Sequence, residues 1–377
     1  MSIKIGEHIG VNTHHEVNPH PAAKPHAAPH PHAEHGAPHA QAPARDSFEM
    51  GHRVVAHFHE HVDPHAKGAY FRKVDSPASP HHQGIHGTGT LPQVHLDPQR
   101  MFHGEGATAW QTGPLDRPSI YMGGRSAGHE VDCGLSFDRV YDKDGQPTFT
   151  DHPSGSDMRD PAHRFTRGTE NGQPVVWNGA GEAVARGKAE VEAKMHGLRE
   201  NFAFRPFWRD TNADTPKDKH WHNPKVGTPD NVYFYPGERF TMSVKSSGPD
   251  NIRMDIRLEG SKTYQHFTTH FRQEGFGAGQ ASSFKRVNSV DQFVVQDGKR
   301  VGAETAGQVV PTRTTALGAS WDRVAILHTN GHDEPVTGPG FTVVKGADIA
   351  AHYAGTFGIS GNNDQGGERI DIHPAGH

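Results

Sequence analysis

The sequence predicts an all-β protein: a sandwich or barrel with a loop/helix insertion and a disordered or extended His/Pro-rich N-terminal arm. Three observations predict it. Residues from Ile252 to Glu259 alternate apolar and charged side chains, the period-two pattern of a half-buried strand. Glycine (44 residues) and proline (28) are frequent, and both residues interrupt strands and form turns. Nineteen of the 32 histidines precede Gly104, many of them in a Pro/Ala-rich run.

The individual strands follow from short apolar or alternating segments between turn residues. Phe240, Met242 and Val244 alternate upstream of Ile252, and the intervening Ser247–Asn251 is typical of a turn, so this region is predicted to be a hairpin. The other predicted strands are Val54–Phe58, Ser119–Met122, Glu130–Phe137, Phe202–Arg209, Asn231–Tyr235, Phe284–Val295 and Trp321–His328.

One segment has the composition of a helix. Residues Glu182–Glu200 are rich in Ala, Glu, Lys and Arg, and their apolar residues lie roughly on one side. We therefore expect residues 142–201 to form an insertion that consists of a loop and this helix.

These elements predict four regions. Residues 1–46 form the His/Pro/Ala-rich arm, which has too few apolar groups to fold alone. Residues 47–110 form a partly ordered linker, residues 111–337 the sandwich, and residues 338–377 a C-terminal extension.

Composition argues against several classes of protein. A formal net charge of −5 disfavours a nucleic-acid-binding surface, which needs clustered Lys and Arg. The sequence contains no run of about 18 apolar residues, so it predicts no membrane span. Cys133 is the only cysteine, so no intramolecular disulfide forms. The N-terminus does not resemble a signal peptide, which leaves two localisations open: the cytoplasm, or export by another route.

Two carboxylates are the first candidates for chemistry. Glu130 and Asp132 are two residues apart on a predicted strand, so both side chains should point to one face. Retaining glycosidases use two carboxyl groups about 5–5.5 Å apart. The Glu-Val-Asp triplet resembles the start of the laminarinase-like glycoside hydrolase motif. Gly134 and Ser136 stand where that motif continues to its second Glu, so the acid partner is missing.

Several motifs in order resemble secreted microbial β-sandwich proteins of the concanavalin-like jelly-roll kind, many of which have no assigned activity. The motifs are Tyr121-Met-Gly-Gly, Glu130-Val-Asp-Cys-Gly, Phe204-Arg-Pro-Phe-Trp-Arg209, Phe234-Tyr-Pro-Gly237 and Phe284-Lys-Arg-Val-Asn-Ser-Val-Asp-Gln292. The resemblance covers residues 119–327. It implies a two-sheet sandwich with a concave face of the shape often used for glycans, and it carries over no catalytic residue.

Aromatic and basic side chains suggest how such a face would bind a glycan. Aromatic rings stack on sugar faces, and guanidinium groups pair with uronate carboxylates. The candidate ligand-binding residues are Arg205, Arg209, Trp221, Tyr233, Tyr235 and Arg286. The alternative is that the aromatic residues pack in the sheets, and that Lys285 and Arg286 mark a solvated face.

A polysaccharide lyase would need a base beside an arginine that neutralises the uronate. Tyr264, His266, His270 and Arg272 are the compact set that offers this chemistry. The spacing of His266 and His270 also suits a helical metal site, but the surrounding Thr and aromatic residues favour a strand, where these positions are far apart.

The His-rich region offers a metal site. His57, His59 and His61 alternate, which on a strand would align three imidazoles on one face, with His65 nearby. This arrangement can chelate Zn²⁺ or another divalent transition metal. No cofactor is required by any motif in the core.

The favoured function is a non-catalytic binding or structural β-sandwich that recognises glycans or a protein assembly, with a pH- and metal-responsive arm. Two alternatives remain open: a carbohydrate-active enzyme (lyase or glycosidase) and a secreted effector. The expected partner is a polysaccharide or a protein assembly. Neither nucleic acid nor a membrane is expected as a partner.

Overall fold

The structure, a computed structural model, confirms an all-β sandwich. It describes residues 57–102, 113–152, 159–216, 220–259, 265–277, 279–303 and 309–374. The predicted arm (1–46) lies outside these residues, and so do residues 54–56 of the first predicted strand and Tyr264 of the predicted lyase set.

The described elements are almost all strands. In chain order they are β1 (His59–Asp63), β2 (Ala69–Asp75), β3 (His82–Thr90), β4 (Gln93–His95), β5 (Met101–Phe102), β6 (Gly113–Pro114), β7 (Asp116–Ser126), β8 (His129–Arg139), β9 (Thr148–Thr150), β10 (Arg164–Glu170), β11 (Gln173–Asn178), β12 (Ala183–Arg186), β13 (Arg199–Glu200), β14 (Phe202–Arg209), β15 (Trp221–His222), β16 (Arg239–Gly248), β17 (Asn251–Leu258), β18 (His266–Arg272), β19 (Ser282–Gln296), β20 (Lys299–Gly302), β21 (Thr315–His328), β22 (Asp333–Pro335), β23 (Thr342–Gly346), β24 (Phe357–Ser360) and β25 (Glu368–Ile372). The described helices are α1 (Lys188–His196) and α2 (Tyr353–Thr356), with single 3₁₀ turns at 98–100, 161–163, 338–340 and 350–352. Within the described residues, no helix has the length and hydropathy to cross a membrane.

Two large sheets form the sandwich. The front sheet has the strand order β1-β23-β2-β19-β7-β8-β14-β15, with β20 paired to β19. The back sheet has the order β18-β17-β16-β3-β21-β25-β24, with β4 and β22 paired to β21. Neighbouring strands are antiparallel, except that β1 runs parallel to β23.

The predicted hairpin is confirmed. β16 and β17 pair antiparallel with Met242 opposite Ile256, and the turn between them contains Asp250 in a left-handed conformation. The alternating apolar residues of both strands are buried in the core between the sheets. Period-two patterning therefore identified the face that the hairpin buries.

The sandwich also includes strands that lie before and after residues 111–337, the region predicted to form it. β3 lies between β16 and β21 in the back sheet, although the sequence analysis placed it in the linker. β24 and β25 come from the predicted C-terminal extension. Asn231–Tyr235, predicted as a strand, forms one isolated bridge from Phe234 to Phe204.

The insertion contains more strand than expected. β12-β11-β10-β9-β13 form a five-stranded sheet with its own small core, and α1 packs on it through Val191. The predicted helix Glu182–Glu200 is helical over Lys188–His196. Gly187, at φ 79°, precedes its first turn and Gly197 follows its last, so both glycines shorten the helix.

A group of charged residues lies inside the sandwich. Arg72 on β2 and Arg286 on β19 point inward from the front sheet, and both donate to Glu368 on β25 of the back sheet, at 2.6 and 2.8 Å. All three side chains are at most 7% exposed. Burial alone would raise the pKa of Glu368, but Arg286 and Arg72 lower it to about 2.

We predict that Glu368→Gln destabilises the protein by about 3–5 kcal/mol, because it leaves two buried guanidinium groups without a counter-charge. Urea unfolding at pH 7 measures this change. The control is Glu259→Gln, which removes one partner of an exposed pair with Arg239 and should cost no more than about 1 kcal/mol. Equal effects of the two substitutions would contradict the prediction.

Candidate functional site

A row of charged side chains crosses the outer face of the front sheet. Asp75, Lys285, Gly123, Asp132 and Arg209 are cross-strand neighbours on β2, β19, β7, β8 and β14. Because directly opposite residues in antiparallel strands point to the same face, their side chains lie side by side on the surface away from the core. Apart from the glycine, the charges alternate in sign along this row.

Lys285 is the centre of the row. Its Nζ donates to Glu130 Oε1 and lies 2.7 Å from Asp132 Oδ1. Arg209 Nη1 lies 3.1 Å from Asp132 Oδ2 and 3.6 Å from Glu130 Oε2. Arg125 Nε donates to Glu130 Oε1 at 3.2 Å. Glu130 and Asp132 therefore share one face of β8, as the sequence predicted, and three cations surround them.

Gly123 makes the approach of Lys285 to Asp132 possible. It lies between them on β7, and a Cβ atom there would be 2.9 Å from Lys285 Cε and 3.1 Å from Asp132 Oδ1. The same Cβ would be 2.1 Å from the carbonyl oxygen of Val131. Any side chain at this position would thus displace the lysine and separate β7 from β8. This lack of space explains why the first residue of the Gly123-Gly124 pair is a glycine.

The charges of Glu130 and Lys285 are fixed near neutral pH. Burial opposes ionisation of Glu130, but Lys285, Arg125 and Arg209 lower the pKa of this carboxyl to about 2. Burial likewise opposes protonation of Lys285, but Asp132 and Glu130 raise its pKa. A glycosidase of either type needs one carboxylic acid with a raised pKa. The pKa of Glu130 is shifted in the other direction, so this carboxyl suits binding rather than proton donation.

An exposed tryptophan borders the cluster. Trp221 on β15 pairs with Arg209 and is 57% exposed. The Arg209 guanidinium lies 5.5 Å from its ring, and the Phe207 ring centroid is also 5.5 Å away. We call Arg125, Glu130, Asp132, Arg209, Trp221 and Lys285 the front recess. It combines a supported aromatic face with hydrogen-bonding groups.

The other predicted ligand-binding residues lie elsewhere. Arg205 donates to Asn231 Oδ1 at 2.9 Å and to the Pro224 carbonyl, so it holds a loop. Tyr235 is 2% exposed beneath Arg159. Arg286 is fully buried against Glu368, so its guanidinium does not face a ligand.

Tyr233 lines a separate cleft next to the insertion sheet. The cleft has a volume of about 890 Å³, and Trp177, Arg164 and Tyr141 also line it. The hydroxyl of Tyr233 accepts a hydrogen bond from the backbone N–H of Tyr141 at 3.0 Å. This cleft is distinct from the front recess.

The residues predicted for a lyase do not converge. His266, His270 and Arg272 lie on β18, an edge strand of the back sheet, and Tyr264 lies outside the described residues. At about 3.3 Å per residue, the first and last of the three are about 20 Å apart. Arg272 pairs with Asp214 and Glu274, and His266 contacts Thr268. The expectation of a strand here is confirmed.

The predicted metal ligands His57, His59, His61 and His65 occupy exposed positions at and around β1. Metal binding by this set stays a prediction. Within the part of the chain that the structure describes, three other residues bring their ligand atoms within 4.8 Å of one another: His82, His328 and Glu334. The sequence analysis missed this set, and local spacing gave no signal, because the residues belong to three strands.

The role of Lys285 was only partly visible in the sequence. The sequence predicts Lys285 only as part of a solvated face, whereas in the structure it contacts both carboxylates of β8. The signal that could have found it is the Lys285-Arg286 pair within a long predicted strand. Strand alternation sends these neighbours to opposite faces, so each needs its own acidic partner.

Comparisons with known proteins find only weak structural similarity. No family model matches the chain, and no curated protein matches it. Among solved structures it is similar to a scytalido-glutamic peptidase bound to a transition state analogue inhibitor, with a TM-score of 0.39 and 7% identity. It is also similar to SCP-B, an eqolisin-family peptidase in complex with the tripeptide Ala-Ile-His, with a TM-score of 0.32 and 8% identity. Each match covers 82% of this chain and 100% of the other. At these scores the likeness assigns no activity.

We predict that Lys285→Met destabilises the protein at pH 7 by about 3–5 kcal/mol, because two shielded carboxylates lose their central cation. The loss should shrink as the pH falls toward 4, since protonation of the carboxyls in the variant removes the uncompensated charge. The free energy of unfolding of the wild type, by contrast, is expected to fall as the pH falls. The folded-state pKa of Glu130 is about 2, below its ordinary value of 4.5, so its stabilising contribution is lost as the pH falls through this interval.

Urea unfolding between pH 2.5 and pH 8 measures both trends. The matched control is Lys143→Met, which removes an exposed lysine paired with Asp144 and should change stability little at any pH in this range. A Lys285→Met variant that loses stability equally at every pH would contradict the prediction.

Proposed function

We propose that this protein is a non-catalytic β-sandwich that binds a uronate-containing glycan in its front recess. The observation that carries the proposal is the position of Trp221, an exposed indole that is held beside a cluster of fixed charges. Exposed large aromatic side chains next to oriented polar groups are typical of binding surfaces.

The indole is prepared for stacking before a ligand arrives. Phe207 packs against it from one strand, and Tyr121 in turn packs edge-on against Phe207, with ring centroids 5.7 Å apart. A side chain that is already ordered loses little conformational entropy on binding. The apolar C–H face of a sugar ring would therefore dock on Trp221 with a small ordering cost.

The charges favour an acidic sugar. The Arg125 side chain is 52% exposed and that of Arg209 is 29% exposed, whereas the side chains of Glu130 and Asp132 are 23% and 6% exposed. Arg125 is therefore the charged group of the recess that a ligand reaches most easily. Arginine binds carboxylates through paired N–H donors, which fits the carboxylate of a uronate. Lys285 offsets the negative charge of Glu130 and Asp132, which reduces their repulsion of an anionic ligand.

The same charges support binding without cleavage. Glu130 stays ionised and Lys285 stays protonated near neutral pH, so neither group suits proton transfer there. Incubation with a uronate polymer should therefore change neither its chain length nor its ultraviolet absorbance. A new absorbance from an unsaturated product would favour a lyase instead.

We predict that Trp221→Ala weakens binding of a four-residue oligogalacturonate by about tenfold or more, as expected for a central aromatic contact. Arg209→Met should weaken the oligogalacturonate in the same way but should change binding of a neutral galactose oligomer much less. Isothermal titration calorimetry of the full chain measures all these affinities.

Two matched controls locate the site. Val295→Ala truncates an apolar residue with 44% exposure on β19, and Trp177→Ala removes an aromatic ring of the separate cleft. Neither should change the affinity for the oligogalacturonate. If Trp177→Ala alone abolishes binding, the cleft is the site and the front recess is not. Absence of binding by the wild type would refute the proposed function.

A further inference from the structure

Two histidines and a glutamate meet at one edge of the back sheet. His82 is the first residue of β3, and His328, its cross-strand partner, is the last residue of β21. β22 folds back onto β21 and brings Glu334 to the same place. His82 is far from the other two in the sequence, whereas His328 and Glu334 are six residues apart, and strand pairing brings all three together.

We propose that His82, His328 and Glu334 form a binding site for a divalent transition metal ion, with Zn²⁺ as the ion that fits best. His328 Nε2 lies 2.9 Å from Glu334 Oε2, and His82 Nε2 lies 4.0 Å from the same oxygen. Ligands bound to one tetrahedral zinc ion at about 2.0–2.2 Å are separated by about 3.4 Å. Shifts of less than about 1 Å would bring these atoms to such distances, and two imidazoles with one carboxylate form an established zinc ligand set.

His82 is a shielded ligand position. Its side chain is 4% exposed, and its Nε2 atom lies 4.0 Å from Glu334 Oε2, beyond hydrogen-bond distance. The rings of His82 and His328 meet edge to face, with centroids 5.0 Å apart. A metal ion would give both imidazoles a common partner.

The surroundings leave this set free to bind a cation. The neighbouring acid, Asp333, is already held by His86 and Arg323, each at 3.1 Å. A cavity of about 310 Å³ opens beside His82 and is lined by polar groups that include Ser246 and Thr329. The cavity provides an access route and room for a water molecule at a fourth coordination position. This site is separate from the front recess, and glycan binding does not depend on it.

The test is zinc titration of the full chain in competition with a chromogenic chelator, together with visible absorption after loading with Co²⁺. The wild type should bind one equivalent of Zn²⁺ more tightly than its other histidines do, and Co²⁺ should give the spectrum of a mixed imidazole–carboxylate site. Loss of a direct ligand in His328→Ala should weaken this equivalent by more than the roughly 10–100-fold that loss of an outer partner costs.

Glu334→Gln keeps the test decisive if a histidine variant fails to fold. The Glu334 side chain is 42% exposed, so its amide replacement should leave the fold intact while it removes the anionic ligand. The control is the double variant His59→Ala/His61→Ala, which removes two exposed histidines of β1. It should retain the tight equivalent and the Co²⁺ spectrum. If Glu334→Gln binds zinc as the wild type does, or if the control alone loses the tight equivalent, the proposal is overturned.

Discussion

Two adjacent cations on one strand, Lys285 and Arg286, set the requirement that organises this protein. Strand alternation sends Lys285 to the outer face of the front sheet and Arg286 into the core. A buried cation without a partner is strongly destabilising, so each must meet an acid from another strand. Glu130 and Asp132 bind Lys285 across β7, and Glu368 joins Arg286 and Arg72 across the two sheets. One interaction orders the front sheet, and the other connects it to the back sheet.

The outer cluster also explains why the front recess suits recognition. The lysine holds two carboxylates in fixed positions, Gly123 leaves it the space to do so, and Arg209 links the cluster to Trp221. Ordered charges beside an ordered ring form a surface that needs little rearrangement to bind. The same pairing keeps Glu130 ionised, so this carboxyl does not suit the proton-donor role of a glycosidase.

Local patterns in the sequence predicted the elements better than their assembly. Alternation in Ile252–Leu258 predicted both a strand and its buried face, and the spacing of Glu130 and Asp132 predicted their common face. The same patterns contain no information about sheet order. They did not show that β3 and β25 complete the back sheet, or that Arg286 points inward to an acid on β25. His82, His328 and Glu334 were missed for the same reason, because the pairing of β3 with β21 brings His82 to the other two residues over a long sequence separation. The role of Gly123 depends on a contact between three strands, so it too required the structure.

The most direct test of this interpretation is a carbon-13 NMR titration of the Glu130 carboxyl in the intact protein. A carboxylate held by Lys285 should remain ionised down to about pH 3 and titrate with a pKa of about 2. A pKa at or above the ordinary value of 4.5 would show that the lysine does not compensate for its burial. In that case burial would outweigh the cations around Glu130, and a raised pKa would make Glu130 a candidate acid again.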